Sequence, residues 1–377
     1  MENFSYLSFA QEIRFGPGSL AGLREAVERS GWQRVMLCTG PSLVTNGHAG
    51  AVQSQLGDCL VAVFDQVQPH VQEAQVGDAV AAAQAVAQER QVQAVIGLGG
   101  GSPIGMAKAV SHALESQQAA PSVPVIAIPT TYAGSEMTGV YGVTRIQAGL
   151  PRKVTVSDPR VAPRLVIYDP LLTLDLSPEL TASTGINALA HCIEALYSVT
   201  RHPLSTVAAL EGVRRITQAL PVCFAKGADQ QARSEMLLGA HLAGFSLASV
   251  KMGLHHGICH VLGGSFNVPH GIANSIMLPY VVRFNAAATA PQLVETAAAM
   301  GIPTAGRPAA EVVEDLVQHI FALTRQMRLP QHLRDAGIAQ ADLPRIAQMA
   351  AENRTVQNNP RPINGPDALE ALLNEAW

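Results

Sequence analysis

Twelve histidines occur in this 377-residue chain, and several stand at spacings that bring imidazoles together. In STGINALAHCIEALY, Asn187 and His191 are four apart, so a helix puts both on one face. In GLHHGICHVLGG, His256 and His260 repeat that spacing, with His255 beside them. His270 follows in VPHG. One histidine on a helix is more often a satisfied core residue than a ligand. Several at these spacings point to a site, because imidazoles on helices can hold a divalent metal or move protons near neutral pH.

A second chemistry lies earlier in the chain. AVIGLGGGSPIGMAKAV reads as a strand, a glycine turn and a helix. Gly99, Gly100 and Gly101 let backbone amides approach a phosphate, Ser102 suits a helix N-cap, and Pro103 suits the first helical position. Free amides and the helix dipole then face an anion. Such a turn also occurs for purely structural reasons, and no G-x-G-x-x-G follows the first strand. After the next strand, IPTTYAGSEMT sets Thr130, Thr131 and Ser135 around a glycine turn, at a strand end of the kind that binds ligands in open α/β sheets. Together the two elements favour a diphosphate cofactor.

These residues need two kinds of scaffold. Val35–Cys38, Ala94–Leu98, Val123–Ile128 and Leu165–Tyr168 are continuous apolar runs, as expected of strands buried on both faces. Helical stretches between them, notably Ser19–Glu28 and Asp78–Arg90, imply a doubly wound parallel sheet. From about Asp175 helical patterns follow one another: Ser183–Ser198, Leu204–Leu220, Gln231–Ala248, Leu254–Leu262 and more. The expectation is α/β plus all-α, with an α/β domain over 1–175, a helical domain over 176–377, and a boundary near Asp169-Pro170 and Ser177-Pro178.

Composition bounds the function. With 48% hydrophobic and 14% charged residues, the chain is core-rich and globular, and too long for one core. A net charge of −4 leaves no basic surplus for nucleic acid. The five cysteines never form Cys-x-x-Cys and read as free thiols in a reducing compartment. Neither a signal core nor an apolar run of roughly 18 residues occurs, so a soluble, cytoplasmic protein without membrane contact is expected.

The order of motifs, GGGS and a helix, then PTT…GSE, then G-x-N-A-L-A-H, then HHGICH…PHG, resembles that of the iron-containing alcohol dehydrogenases from about Phe15 to the NPRPI at Asn359–Ile363. That resemblance implies an N-terminal dinucleotide-binding domain and a C-terminal helical domain with the active site in the cleft between them. It also implies a homodimer. In metal-dependent members an Asp and three His bind iron or zinc, and the matching positions here are Asn187, His191, His256 and His270. A neutral amide replaces an anionic oxygen at the first, which weakens divalent-metal binding, so no tightly held metal is expected.

YAGSEMT (Tyr132–Thr138), Asn187 and VKMGLHHGICH with Lys251 resemble the maleylacetate reductase branch. That branch implies NAD(P)H-dependent reduction of a C=C bond in a small dicarboxylate to 3-oxoadipate, and removal of a 2-chloro substituent, during aromatic-compound degradation. An enone needs no metal to lower a hydroxyl pKa: imidazolium and ammonium groups can stabilise the enolate oxygen and deliver a proton. On this reading His256 and His191 lie beside the reacting carbons. His255, His270 and Lys251 hold carboxylates or the enolate, Arg145 adds positive charge, and Tyr132 lines the pocket. The resemblance adds Lys153 to the cofactor-binding residues. Gly40 in LCTGPS stands where NAD-selective relatives carry an Asp that repels a 2′-phosphate, so both NADH and NADPH should serve.

Three other readings stay open: a metal-dependent alcohol or polyol dehydrogenase of the same superfamily, a lyase resembling dehydroquinate synthase, and a nucleotide-binding protein without catalysis.

Overall fold

The computed structural model describes residues 3–69, 71–85, 91–118, 123–147 and 150–377, apart from the side chains of 116–118, 146–147 and 150–153. The chain divides into two compact units, Ser8–Leu176, and Ser177–Trp377 with the described residues up to Leu7. The first residues thus group with the helical unit, whereas the sequence reading put them in the α/β domain. Phe4 and Tyr6 stack on His202 of the helical unit, with ring centroids 5.1 and 4.6 Å from its imidazole.

In Ser8–Leu176 the strands are β1 (Glu12–Phe15), β2 (Val35–Cys38), β3 (Leu60–Phe64), β4 (Ala94–Gly99) and β5 (Val125–Pro129), then a hairpin of β6 (Val140–Gln147) and β7 (Leu150–Ser157), then β8 (Leu165–Tyr168). Six of them form a parallel sheet in the order β1-β8-β5-β4-β2-β3. Its helices are α1 (Leu23–Arg29), α2 (Pro41–Thr45), α3 (His48–Leu56), α4 (Glu73–Ala85) and α5 (Gly101–Gln118). The central strands are apolar throughout because both faces are covered. Met36, Cys38, Val95 and Val125 pack with Met106 and Val110 of α5, while Leu37, Ile96, Ile126 and Ile128 pack with Val27 and Leu56 on the other face.

The four expected strands form. The stretch expected to be helical over Ser19–Glu28 opens as a 3-10 turn, Ser19–Gly22, before α1. α4 starts earlier than expected, and 86–90 of that expected helix lie outside the described residues.

The second unit contains α6 (Pro178–Tyr197), α7 (Pro203–Ala225), α8 (Gln230–Ser249), α9 (Leu254–Phe266), α10 (His270–Ala299), α11 (Ala309–Gln326), α12 (Leu343–Ala351) and α13 (Pro366–Ala376). Ser177 caps α6 by accepting from the Leu180 amide at 3.2 Å, and Asp229 caps α8 through Ala232 at 3.0 Å. α9 has no such cap of its own, since Gly253 precedes it. α6 is buried almost all round from Thr181 to Tyr197, which explains its unbroken small and apolar sequence. Among the described residues no single helix is long and apolar enough to cross a membrane.

Candidate active site

α6 and α9 bring the expected histidines together. Asn187 and His191 are buried on one face of α6, and His255 and His256 are buried in the first turn of α9. The rings of His191 and His256 lie face to face, 4.5 Å between centroids and 10° from parallel. His255 meets His256 edge-on at 4.9 Å, and His270, the first residue of α10, lies 6.2 Å from it. His260 stacks on His270 at 5.9 Å and is exposed.

A carboxylate missed in the sequence reading completes the group. Glu194, one turn after His191 and 1% exposed, places Oε2 2.5 Å from His256 Nδ1. Its Oε1 accepts from the His255 amide at 3.0 Å and Oε2 from the His256 amide at 3.4 Å. The available signal was its position: apart from Glu179 in the first turn, it is the single charged residue of α6.

Burial pushes the His191, His255 and His256 imidazoles below the usual histidine range, and their mutual repulsion lowers His191 and His256 further. Glu194 opposes the shift at His255. Burial likewise pushes the Glu194 carboxyl up, against the pull of His255 and the neighbouring amides. The buried site therefore disfavours positive charge on the cluster expected to be cationic.

The C-terminal segment braces this helix. Asn353 Nδ2 donates to the Gly257 carbonyl at 3.4 Å, and Asn358 Nδ2 donates to the Met252 carbonyl at 3.3 Å. A Cβ at Gly257 would stand 2.3 Å from Val356 Cγ2, so glycine is what permits this approach. Asn285 and Asn359 exchange amide hydrogen bonds at 3.0 and 2.7 Å alongside.

In the α/β unit, β4 runs through the glycines into α5. Gly99 has φ +136°, a conformation that favours glycine, and a Cβ there would meet Pro103 at 2.8 Å. A Cβ at Gly100 would lie 3.0 Å from Thr131 Oγ1, so part of the glycine pattern serves packing. Gly101 differs: it is exposed, and a Cβ would meet nothing nearer than Ala133 Cβ at 3.8 Å. α5 begins at Gly101, earlier than expected, so Ser102 is its second residue rather than its cap and Pro103 its third. The sharp turn at Gly99 starts the helix at once, with the Ile104 amide already donating to Gly100 O at 3.3 Å.

Thr130 is buried, and its amide donates to Gly99 O at 3.1 Å. Lys108, fully buried on α5 and also missed, holds the following loop. Its Nζ donates to the Ser135 carbonyl at 2.6 Å, the Val140 carbonyl at 2.9 Å, and the Ser135 and Thr138 hydroxyls at 3.3 Å each. Burial pushes its pKa down to about 7 while Glu136 opposes the shift. Glu136 is buried too and accepts from the Tyr168 hydroxyl at 3.0 Å.

Other expected residues are placed differently. Tyr132 is fully buried in the α/β unit. Arg145 on β6 pairs with Glu73 at 2.8 Å at the surface. Lys251 is exposed, and the structure fixes its main chain: its amide donates to Thr200 Oγ1 at 2.8 Å and its carbonyl accepts from Ser198 Oγ at 2.7 Å. Gly40 caps α2 in an extended conformation, where a Cβ would meet the Val67 carbonyl at 3.2 Å. Lys153 lies on β7, and its side chain is outside the described residues.

Comparison with known proteins decides the family. The model for iron-containing alcohol dehydrogenase matches residues 10–170, and that for the Fe-containing alcohol dehydrogenase family, C-terminal, matches 181–377. The chain belongs to the iron-containing alcohol dehydrogenase family. Within this family, maleylacetate reductase 1 of Cupriavidus pinatubonensis (strain JMP 134) is 34% identical, over 100% of this chain and 98% of the relative. The crystal structure of maleylacetate reductase from Rhizobium sp. strain MTP-10005 superposes with a TM-score of 0.86 at 34% identity, covering 100% of this chain and 99% of that one. A 1,3-propanediol oxidoreductase superposes with a TM-score of 0.92 at 29% identity, covering all of both chains. The family architecture, an N-terminal α/β half and a C-terminal helical half, is the one described above.

The family's name makes a metal the question to put to Asn187, His191, His256 and His270. A ligand nitrogen's lone pair lies in its ring plane about 2 Å from the metal. The planes of His191 and His256 run nearly parallel through stacked rings, so they do not meet at a common point close to both nitrogens. Among the described residues no group of three His, Cys, Asp or Glu side chains assembles in a metal-holding arrangement. The residues as arranged do not fit a tight metal site.

Proposed function

We propose that this chain reduces the C=C bond of maleylacetate with NADH or NADPH, giving 3-oxoadipate, without a tightly held metal. The observation that carries this reading is the buried face of α6 and α9, where an amide, Asn187, stands beside a stacked imidazole pair instead of a carboxylate. An alcohol oxidation relies on a Lewis acid to acidify the hydroxyl, whereas conjugate reduction of an enone relies on polarising an oxygen and supplying a proton. The full-length relatives named maleylacetate reductase support the same reading.

The overall change is maleylacetate, NADH and a proton giving 3-oxoadipate and NAD⁺. The nicotinamide supplies the hydride. We assign its diphosphate to the open N-terminus of α5, where Gly101 leaves space that the protein's own packing does not use. Gly40, Gly99, Gly100, Ser102, Thr130, Thr131, Ser135 and Lys153 complete our assignment of cofactor-binding residues. His191 polarises the enolate oxygen, and His256 takes up the reaction's proton on Nε2 and delivers it to the adjacent carbon. His255, His270, Lys251 and Tyr132 belong to the substrate end of the same assignment. With 2-chloromaleylacetate, hydride replaces chloride, giving maleylacetate, NAD⁺ and chloride. The reading carries with it a cytoplasmic homodimer whose five buried cysteines stay reduced.

One observation favours a second reading, a metal-dependent alcohol dehydrogenase: a carboxylate on Nδ1 with a bare Nε2, as at His256, is how proteins brace a ligating histidine. Following NADH loss with freshly generated maleylacetate, before and after chelation, separates the two. Turnover that survives chelation supports the proposal. Turnover lost on chelation and restored by zinc or iron keeps the substrate and discards the metal-free reading. Absence of turnover, with NAD-dependent oxidation of 1,3-propanediol in added iron or zinc, establishes the second.

A further inference from the structure

We propose that Glu194 is a positioning residue that locks His256 in the tautomer protonated on Nδ1, leaving Nε2 as its working nitrogen. The inference deepens the proposed reductase reading and rests on it for the effect on turnover.

α9 lacks a side-chain cap of its own. His255 and His256 are the second and third residues of α9, so their amides have no acceptor within the helix. Gly253 at the N-cap offers no side chain to take them. Glu194 reaches across from α6 and accepts both, at 3.0 and 3.4 Å. The glycine also leaves the necessary room, since a Cβ at Gly253 would stand 3.3 Å from Glu194 Oε1. A carboxylate at this position faces the positive end of the α9 dipole, which favours its ionised form.

An ionised Glu194, with its oxygens accepting from the amides, has no proton to give, so the ring is the donor in the 2.5 Å contact between Oε2 and His256 Nδ1. The proton therefore sits on Nδ1. His256 Nε2 is left as a lone pair, buried and without a hydrogen-bond partner among the described residues. The neighbouring ring is locked the opposite way. Asn274 Nδ2 donates to the His270 carbonyl at 2.8 Å, which turns its Oδ1 towards His255 Nε2 at 2.7 Å. His255 thus carries its proton on Nε2. Adjacent histidines on one turn hold opposite tautomers, each set by a different partner, and only His256 is held by a carboxylate.

The experiment is ring-nitrogen NMR on protein labelled with ¹⁵N-histidine, with H256A used to assign the signal. Wild type should show His256 protonated on Nδ1. E194Q keeps an oxygen for the helix amides but turns an NH₂ towards the ring, so the proton should move to Nε2. On the proposed reaction kcat should fall about 10- to 100-fold, as for partners that orient a functional histidine. The NADH dissociation constant should not change. E194D restores a carboxylate and should recover both the Nδ1 proton and part of kcat; it also serves if E194Q fails to fold. A wild-type His256 protonated on Nε2 overturns the proposal, as does an inverted tautomer in E194Q with undiminished kcat. The tautomer is read without substrate, so a wild-type enzyme inert towards maleylacetate would remove the reductase reading and leave the NMR result to decide this one.

Discussion

The imidazole rings of His191 and His256 stack face to face, with centroids 4.5 Å apart and planes 10° from parallel. Only one of the two, His256, is held through its ring by a carboxylate, Glu194. Replacing His256 by alanine removes the nitrogen assigned to substrate, and kcat should fall by about 100-fold or more, the scale of lost general acid–base catalysis. NADH binding, followed by fluorescence, should be retained because the residues we assign to the nucleotide belong to the α/β unit. Near wild-type turnover of maleylacetate by H256A would defeat the assignment.

Asn187 invites the reverse experiment. N187D puts an anionic oxygen beside His191 and should raise affinity for zinc or iron, because a charged oxygen ligand replaces a neutral one. Metal content after dialysis against zinc should exceed that of wild type. Equal content in the two proteins would show that the amide is not what limits metal binding.

Gly40 bears on cofactor choice. Wild type should use NADH and NADPH with comparable kcat/KM. In G40D the new carboxylate should repel the 2′-phosphate and lower kcat/KM for NADPH at least about tenfold, the equivalent of roughly 1.4 kcal/mol. The Val67 carbonyl must yield slightly, since a Cβ would sit 3.2 Å from it. A wild-type preference for NADH of several hundred-fold would contradict the expectation before any mutation is made.

Lys108 ties α5 to the Ser135–Val140 loop. K108M strips the Ser135 and Val140 carbonyls of a donor and should lower stability by at least about 2 kcal/mol, while raising KM for NADH more than it lowers kcat. Burial brings the folded-state pKa from 10.5 to about 7, so the ammonium form is penalised in the fold. That penalty is complete below about 7 and fades as pH rises towards 10.5. The stability of wild type relative to K108M should therefore increase above neutrality, by at most about 1.4 kcal/mol per pH unit. Denaturant titrations of both proteins at several pH values check this, and a gap that narrows with rising pH would refute it.

The elements that sequence revealed were those with one-sided logic. Ile96 and Ile126 lie in strands apolar on both faces, and such runs are visible without knowing what covers them. β1 and β3 are edge strands, half exposed and mixed in composition, and leave no comparable trace. The β6–β7 hairpin carries Arg145 and Lys153 within an alternating pattern and resembles a polar loop.

The histidines were legible because helical spacing alone puts them on shared faces. Lys108, Glu136 and Glu194 were not, because each is explained by partners up to 62 residues away. That burial opposes the cationic character expected of the cluster was hidden for a related reason: charge at an imidazole depends on its surroundings, and burial cannot be read from residue type.

The bracing of α9 by Val356 and Asn358 has a consequence for biosynthesis. The Gly257 carbonyl waits for Asn353, 96 residues later, and the Met252 carbonyl for Asn358, 106 residues later. A chain emerging from the ribosome can close the parallel sheet of its first half long before these partners exist. The packing around α9 is therefore completed only by the last residues made, and a chain stopped before Asn353 would lack these braces.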